Sequence, residues 1–456
     1  MRQTDDKACI RKNPLNDFRS KDFLLASFIL SGYFAAFGLT ECKPVWYFVL
    51  YKGIIGGEKS MRFSEEYFAE HMKGITGSAI RDIFKLLGKP GMISFAGGNP
   101  SNKALEPEVI KELSIEAIDR YGTSILQYGG TEGIVGLKEQ TAKYLSETAG
   151  VRCKAENILP VQGSSQAFDL LLKALINPGD VILVESPTFL GAIQAMNIYR
   201  AKLVPMPMDE GGVIVEEVEE LVKKHHPKMM YIIPTFQNPT GRTLTLERRK
   251  ALAAMAEKYG FIIAEDDPYR DLRYTGEALP SISSFDEAGW VVYMSSYSKY
   301  ISPGLRVGAA AVPDAKLLRK MVIGKQSADV HSPLLTQAIV ELYMEKNLLP
   351  AHLERICGEY NTQMQAMLEG FKALPDGVKY TVPQGGLFVW AEMPEGFDCL
   401  KLLEKAIEKN VAFVPGTHFY PDGGHMNTLR LNFSMQEVEN IRVGMQRLAE
   451  AIKESM

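Results

Sequence analysis

Short apolar runs alternate with segments of helical periodicity through the middle of the chain. The runs occupy residues 181–184 (VILV), 230–233 (MYII), 261–264 (FIIA) and 291–294 (VVYM). Near-continuous apolar runs of this length are typical of parallel strands buried on both faces. Residues 167–176 and 246–259, which lie between runs, have the apolar spacing of helices. The alternation predicts an α/β fold, with a mainly parallel sheet covered by helices.

The pattern changes beyond residue 348. A long helix is expected there, followed by a strand near Gly385-Gly386-Leu387-Phe388, a helix over residues 400–409 and a final amphipathic helix from Met435. We interpret this part as a smaller α+β domain, with a boundary between residues 333 and 350. The expected organisation is an N-terminal extension (1–60), an arm that also belongs to the small domain (61–105), a large cofactor-binding domain (106–345) and a C-terminal small domain (346–456).

The first sixty residues are a separate problem. Residues 23–40 (FLLASFILSGYFAAFGLT) carry no charge, and a second apolar run follows over residues 45–51. Such a stretch is on the border of spanning a bilayer, and it is longer than the apolar core of most signal peptides. Three interpretations stay open: upstream sequence translated ahead of a start at Met61, a hydrophobic membrane anchor, and a structural extension.

Composition narrows the function classes. The 456 residues are 46% hydrophobic and 23% charged, the balance of a globular protein. The net charge of −4 and the lack of a Lys/Arg cluster argue against a nucleic-acid partner. Five scattered cysteines without a CxxC pair indicate reduced thiols and a cytoplasmic protein, and seven histidines without ligand spacing predict no metal site.

Polar side chains follow three of the predicted strands. Ligands of such sheets bind beyond the carboxyl ends of the strands, so these positions are candidates for a site. In chain order they are Asn238, then Asp266 and Tyr269, then Ser296, Ser298 and Lys299, with Arg306 shortly after.

These groups match the needs of pyridoxal phosphate. Its pyridine nitrogen must stay protonated for the ring to act as an electron sink, and Asp266 is the candidate carboxylate. The ring oxygen needs donors, which Asn238 and Tyr269 can supply. The aldehyde needs an amine, and Lys299 supplies one. The phosphate needs hydroxyls, backbone N–H groups and a cation; the candidates are Ser164, Ser165, Ser296, Ser298 and Arg306.

Each element has an ordinary structural explanation when taken alone. Asn238-Pro239 can start a turn, Asp266-Asp267 can be a solvated turn, and Lys299 can be a surface lysine. Their order after consecutive strands makes coincidence improbable. We therefore predict one site that contains all of them.

The motifs also resemble the class I/II aminotransferases of the fold-type I pyridoxal-phosphate enzymes. The resemblance runs from about Ile75 to the C-terminus, and it favours the branch of 2-aminoadipate and multisubstrate aromatic or branched-chain aminotransferases. It places Lys299, in the segment SYSKYISPGLR, at the family's Schiff-base position.

The resemblance implies roles for four further residues. Phe189 matches the aromatic residue that stacks on the cofactor ring, and Arg430 matches the arginine that binds the substrate α-carboxylate. Tyr128 matches a tyrosine that reaches the neighbouring subunit's phosphate, which implies a homodimer. Gly98 lies in a glycine-rich substrate-side loop, although Asn99 stands where the family usually has an apolar residue.

The implied reaction transfers the amino group of an L-amino acid to a 2-oxo acid, with 2-oxoglutarate as the expected acceptor. Lys299, Asp266 and Tyr269 are the expected catalytic residues, and Arg430, Asn238 and Gly98 the expected substrate-binding residues. A β-lyase or decarboxylase of the same fold is the alternative, because the protein decides which Cα bond reacts. An aminotransferase-like transcriptional regulator fits less well, since no basic helix-turn-helix module precedes the enzyme-like part.

Overall fold

The computed structural model describes residues 65–75 and 91–456. The described residues divide into two units at the boundary between residues 68 and 69. Within the first, Glu65–Tyr67 form a 3-10 turn. The apolar residues 23–51, and with them the three interpretations of the N-terminus, lie outside the described residues. Among the residues described, no helix is both long and apolar enough to cross a bilayer.

The α-helices of the second unit are numbered here in chain order. They are α1 (Pro107–Tyr121), α2 (Val135–Ala149), α3 (Ser164–Leu175), α4 (Leu190–Ile198), α5 (Val215–His225), α6 (Leu246–Tyr259), α7 (Ala315–Asp329), α8 (Leu334–Glu345), α9 (Leu349–Phe371), α10 (Cys399–Glu408) and α11 (Val438–Lys453).

The strands are numbered in the same way. They are β1 (Ile93–Ser94), β2 (Ile158–Val161), β3 (Val181–Glu185), β4 (Lys202–Met206), β5 (Met208–Asp209), β6 (Gly212–Val213), β7 (Met229–Ile232), β8 (Ile262–Asp266), β9 (Val291–Ser296), β10 (Gly308–Ala311), β11 (Lys379–Tyr380), β12 (Phe388–Glu392), β13 (Val411–Ala412), β14 (Val414–Pro415) and β15 (Thr428–Asn432).

A seven-stranded sheet in the order β2-β10-β9-β8-β7-β3-β4 forms the centre of the molecule. Only β10 runs against its neighbours, so the sheet is mainly parallel. Side chains of β7 alternate between two core clusters, with Met230 in one and Tyr231 in the other. Both faces of the strand are therefore buried, as its near-continuous apolar sequence predicts.

A second sheet is antiparallel, in the order β11-β12-β15-β14. Along the chain, helix α9 precedes its strands, α10 separates β12 from β14, and α11 follows β15. Early in the chain, Ile93 and Ser94 pair in parallel with Val411 and Ala412, so a segment preceding the large sheet is joined to the C-terminal region. The α/β fold class predicted from the sequence is confirmed. The exact domain bounds stay a prediction.

The predicted elements are present with small shifts. Helix α6 has the predicted bounds, whereas α3 begins at Ser164, three residues before the predicted start. Strands β8 and β9 each extend two residues past their apolar runs, because Asp266 still pairs with Met294 of β9. Asp266 and Ser296 are thus the last residues of their strands, at the edge where the ligand site was expected.

Candidate active site

The adjacent parallel strands β7, β8 and β9 carry polar side chains at their carboxyl ends. These ends border a cavity of about 240 Å³. The predicted site residues that line it are Gly98, Ser164, Ser165, Phe189, Asn238, Asp266, Tyr269, Ser296, Ser298, Lys299, Arg306 and Arg430. The fold therefore brings together groups that span more than 300 positions of the sequence.

Asp266 is a buried carboxyl with one unused oxygen. Its Oδ2 atom accepts a hydrogen bond of 2.7 Å from the Tyr231 hydroxyl. Its Oδ1 atom is buried and has no hydrogen-bond partner within the described part of the chain. Burial raises the pKa of Asp266 to about 6, although the bond from Tyr231, followed by the nearby Ser164 hydroxyl, opposes the shift. A buried acceptor left unpaired is costly, so this oxygen calls for a donor from a bound molecule.

Lys299 is a half-buried amine that lines the same cavity as that carboxyl. It ends a 3-10 turn, Tyr297–Lys299, that directly follows β9. Its Nζ atom donates to the Gly98 carbonyl at 2.9 Å and lies 5.7 Å from the centre of the Tyr269 ring. Burial, followed by the charges of Arg430 and Arg306, lowers the pKa of Lys299 to about 8. Deprotonation near neutral pH gives the amine form that can bond to a carbonyl carbon or accept a proton.

A hydrogen-bonded series links the two sheets across the cavity. Asn238 donates from Nδ2 to the Tyr269 hydroxyl at 3.1 Å, and its Oδ1 atom accepts from Arg430 Nη1 at 2.9 Å. Burial raises the pKa of Tyr269 to about 12, so this phenol stays protonated. Because the phenol oxygen accepts from Asn238, its O–H hydrogen is free to donate into the cavity.

Arg430 on β15 is a buried cation that no carboxylate of the described part of the chain neutralises. It is 3% exposed and lies between the rings of Phe388 and Phe419, with its guanidinium carbon 4.3 and 5.0 Å from their centres. Besides Asn238 it donates to the Ala96 carbonyl at 2.8 Å. Burial lowers the pKa of Arg430 to about 10.

No carboxylate of the described residues forms an ion pair with Arg430. Arg248, in contrast, donates to both oxygens of Asp209, at 2.6 and 2.7 Å. A buried guanidinium that has only neutral acceptors is stabilised by any anion that reaches it, and its fork suits a carboxylate.

Hydroxyl groups, a cation and the start of a helix also line the cavity. Ser296 and Ser298 are joined by a 3.0 Å hydrogen bond between their hydroxyls, and Arg306 Nη1 donates to Ser298 Oγ at 3.2 Å. Helix α3 begins at Ser164, after Gly163 with φ +85°. The positive φ favours glycine at this position, and a Cβ atom there would lie 2.8 Å from Arg306 Nη2. Such a helix start binds phosphate through its N–H groups and its dipole.

Comparison with known proteins identifies the family of the chain. The family model described as aminotransferase class I and II matches residues 90–448. The chain belongs to this family. Its cofactor is pyridoxal 5'-phosphate, and the unused Asp266 oxygen, the amine of Lys299 and the hydroxyl-lined helix start fit the ring nitrogen, the aldehyde and the phosphate of that molecule.

Several relatives are similar over nearly their whole length. Aromatic-amino-acid aminotransferase 1 of Thermococcus litoralis is 42% identical over 86% of this chain and 95% of its own. The 2-aminoadipate transaminase of Thermus thermophilus is 40% identical over 85% of this chain and 97% of its own. A Pyrococcus horikoshii kynurenine aminotransferase, solved in complex with PMP, has a TM-score of 0.83 and 38% identity over 87% of this chain and 99% of its own.

One predicted residue of the aminotransferase does not line the cavity. Tyr128 is 82% exposed, and its ring lies edge-to-face with the ring of His331, with 6.1 Å between ring centres. Its expected contact with a neighbouring subunit stays a prediction. Tyr231, whose hydroxyl donates to Asp266, was not among the predicted site residues. It could have been found as the one hydroxyl-bearing residue in the otherwise apolar strand β7.

Asp266→Asn tests the role of the unused oxygen. The variant keeps the shape of the side chain but loses its charge, so the ring nitrogen loses its anionic partner. Breaking a buried charge pair costs roughly 3–5 kcal/mol, and we expect kcat to fall by about 100-fold or more. Steady-state kinetics at saturating cofactor measure this.

Asp267→Asn is the matched control, because this neighbouring buried carboxyl faces Tyr293, whose hydroxyl donates to it at 3.2 Å, and does not line the cavity. Equal losses of kcat in the two variants would show that Asp266 has no specific role in the chemistry.

Proposed function

We propose that the aminotransferase performs its reaction with Lys299 and Asp266 at the cofactor and Arg430 at the substrate. The observation that carries this assignment is the set of three ionisable groups that line one cavity. Within the described residues, Asp266 Oδ1 has no hydrogen-bond partner and Arg430 forms no ion pair, while burial lowers the pKa of Lys299 to about 8. A cofactor with a protonated ring nitrogen and an aldehyde, together with the carboxylate of an amino acid, would pair with all three groups.

Each residue has a separate task in the proposed reaction. Arg430 and Asn238 hold the α-carboxylate, which fixes the amino acid with Cα toward Lys299. The cofactor, when bound, supplies a ring that takes up the electron pair left when Cα loses its proton. Lys299 Nζ would remove that proton as a base and deliver it as an acid to the cofactor's C4′ carbon, and it would carry out the two transfers in the opposite order with the 2-oxo acid. Tyr269 and Asn238 donate hydrogen bonds that keep the ring oxygen anionic.

We propose donors of the 2-aminoadipate, aromatic or branched-chain type, with 2-oxoglutarate as acceptor. The names of the relatives support the aromatic and 2-aminoadipate types. The cavity supports the proposed range as well, because Ala96, Ile233 and Phe189 offer apolar surface while Asn99 offers a polar side chain. Such a lining accepts both apolar and polar substrate side chains.

A panel of amino donors with 2-oxoglutarate tests the proposal. We expect transfer from 2-aminoadipate, from an aromatic or from a branched-chain donor, with formation of glutamate and the matching 2-oxo acid. Arg430→Ala should raise KM for donor and acceptor alike, because both present the same carboxylate. The loss of a charge-assisted bidentate contact is worth several kcal/mol, or roughly 100-fold in kcat/KM.

The control for this panel is Arg248→Ala, because Arg248 lies outside the cavity and its fork already holds Asp209. Release of ammonia or carbon dioxide from the donors instead of glutamate formation would refute transamination. Normal KM values in Arg430→Ala would remove Arg430 from the substrate site.

We further propose a homodimer in which Tyr128 reaches the partner's cofactor phosphate. Its support is a group of exposed apolar residues on and beside one segment, with Leu126, Tyr128 and Val135 exposed by 70, 82 and 65%. Large exposed apolar side chains in one region mark a contact surface. Sedimentation should give the mass of two 50.7 kDa chains, and Tyr128→Phe should weaken cofactor binding. A fully active monomer would contradict the proposal.

A further inference from the structure

A buried cation lies behind the turn that leads into helix α3. Lys325 on α7 is fully buried, with 0% of its surface exposed. Its ammonium donates to Asp329 Oδ2 at 2.8 Å, to Gln166 Oε1 at 3.0 Å and to Ser332 Oγ at 2.9 Å. These three partners use all three hydrogens of the ammonium group. Lys325 does not line the active-site cavity.

Asp329 also binds the side chains at both ends of the turn, Gln162 and Gln166. Its Oδ2 atom accepts from Gln162 Nε2 and from Gln166 Nε2, each at 2.7 Å. Gln166 Oε1 also accepts from the backbone N–H of Gln162 at 2.8 Å. The two glutamines therefore bracket the three residues, 163–165, whose hydroxyls and N–H groups face the cavity.

The same turn is held from the cavity side by Arg306. Its Nη2 atom donates to the Gln162 carbonyl, while its Nη1 atom donates to Ser298. One cation thus fixes the turn from within the site and one from outside it. The outside contact is an ion pair with Asp329, whose side chain is 16% exposed.

Such a pair is an expensive way to stabilise a fold. Removing both charges from water costs several kcal/mol per ion, and apolar residues of similar volume often serve stability equally well. Burial lowers the pKa of Lys325, and the hydrogen bonds from Lys325 and Gln166 outweigh burial and lower the pKa of Asp329. The two charged groups hold the amide side chains of Gln162 and Gln166 in one orientation.

We propose that Lys325 and Asp329 are a positioning pair that shapes residues 162–166 for the cofactor phosphate without touching the cofactor. The inference rests on the proposed cofactor site. Outer partners that orient the groups around a metal ion change its affinity by about 10–100-fold when they are removed. An effect of similar size is expected here, and it should apply to the phosphate and not to the ring.

Titration of the cofactor-free protein with pyridoxal phosphate and with pyridoxal tests this. Lys325→Met should raise the Kd for pyridoxal phosphate by about 10-fold or more and leave the Kd for pyridoxal, which has no phosphate, unchanged. The double variant Lys325→Met/Asp329→Leu removes both charges and leaves no unpaired ion, so it remains testable if the single variant folds poorly. It should show the same selective loss.

Lys173→Met is the matched control, because Lys173 forms an ion pair with Asp169 on the same helix but is 37% exposed; both Kd values should match the unmodified protein. Arg306→Ala should weaken pyridoxal phosphate selectively. If it does not, the phosphate site itself is wrong and this inference falls with it. If Arg306→Ala behaves as expected but the Lys325 variants leave both Kd values unchanged, or raise them by one factor, the pair has only a structural role and the proposal is overturned.

Discussion

Burial of ionisable groups without full compensation is the constraint on which this active site depends. Asp266 and Arg430 are buried and Lys299 is half-buried, and all three line one small cavity. In that environment each charge interacts strongly with any partner, and each unsatisfied donor or acceptor is costly. In the proposed reaction the bound cofactor and substrate remove these costs. The same groups would then select a carboxylated amine and a protonated ring nitrogen.

The mainly parallel sheet is the device that assembles these groups. Neighbouring strands β7, β8 and β9 end at one edge, so residues far apart in the chain are placed beside each other. The antiparallel sheet adds Arg430, which lies opposite and is joined to the first sheet through Asn238. Support from behind comes from Tyr231 under Asp266 and from the Lys325 pair behind the start of α3. The residues that line the cavity and the residues that hold them in place thus lie on different helices and strands.

The sequence predicted the parts of this arrangement that depend on local pattern. Apolar runs located the strands, and polar residues at their ends located Asn238, Asp266 and Lys299. The extension of β8 to Asp266 could not be foreseen, because a charged residue ends an apolar run even where backbone pairing continues. Gln162 and Lys325 were also not predicted from the sequence. Nothing in local periodicity tells a lysine on a helix surface from one that is buried against another helix.

The role of Tyr128 is a second point that local sequence pattern cannot establish. Its predicted role depends on a surface supplied by a second chain, which no pattern within one chain can test. Arg430 was assigned only through resemblance to a family, since a lone arginine in a strand has no local signature of carboxylate binding. Its burial between Phe388 and Phe419, without an anion, supplies the physical reason that the sequence lacked.

The most direct test of the account is borohydride reduction of the cofactor-loaded protein followed by peptide mapping. Reduction fixes a cofactor that is bound to an amine, and the account predicts that it will be found on Lys299 alone. Lys299→Ala should still bind the cofactor through Asp266, Arg306 and the serine hydroxyls but should show almost no amino-group transfer. Cofactor fixed to a different lysine, or full activity of Lys299→Ala, would contradict the central claim.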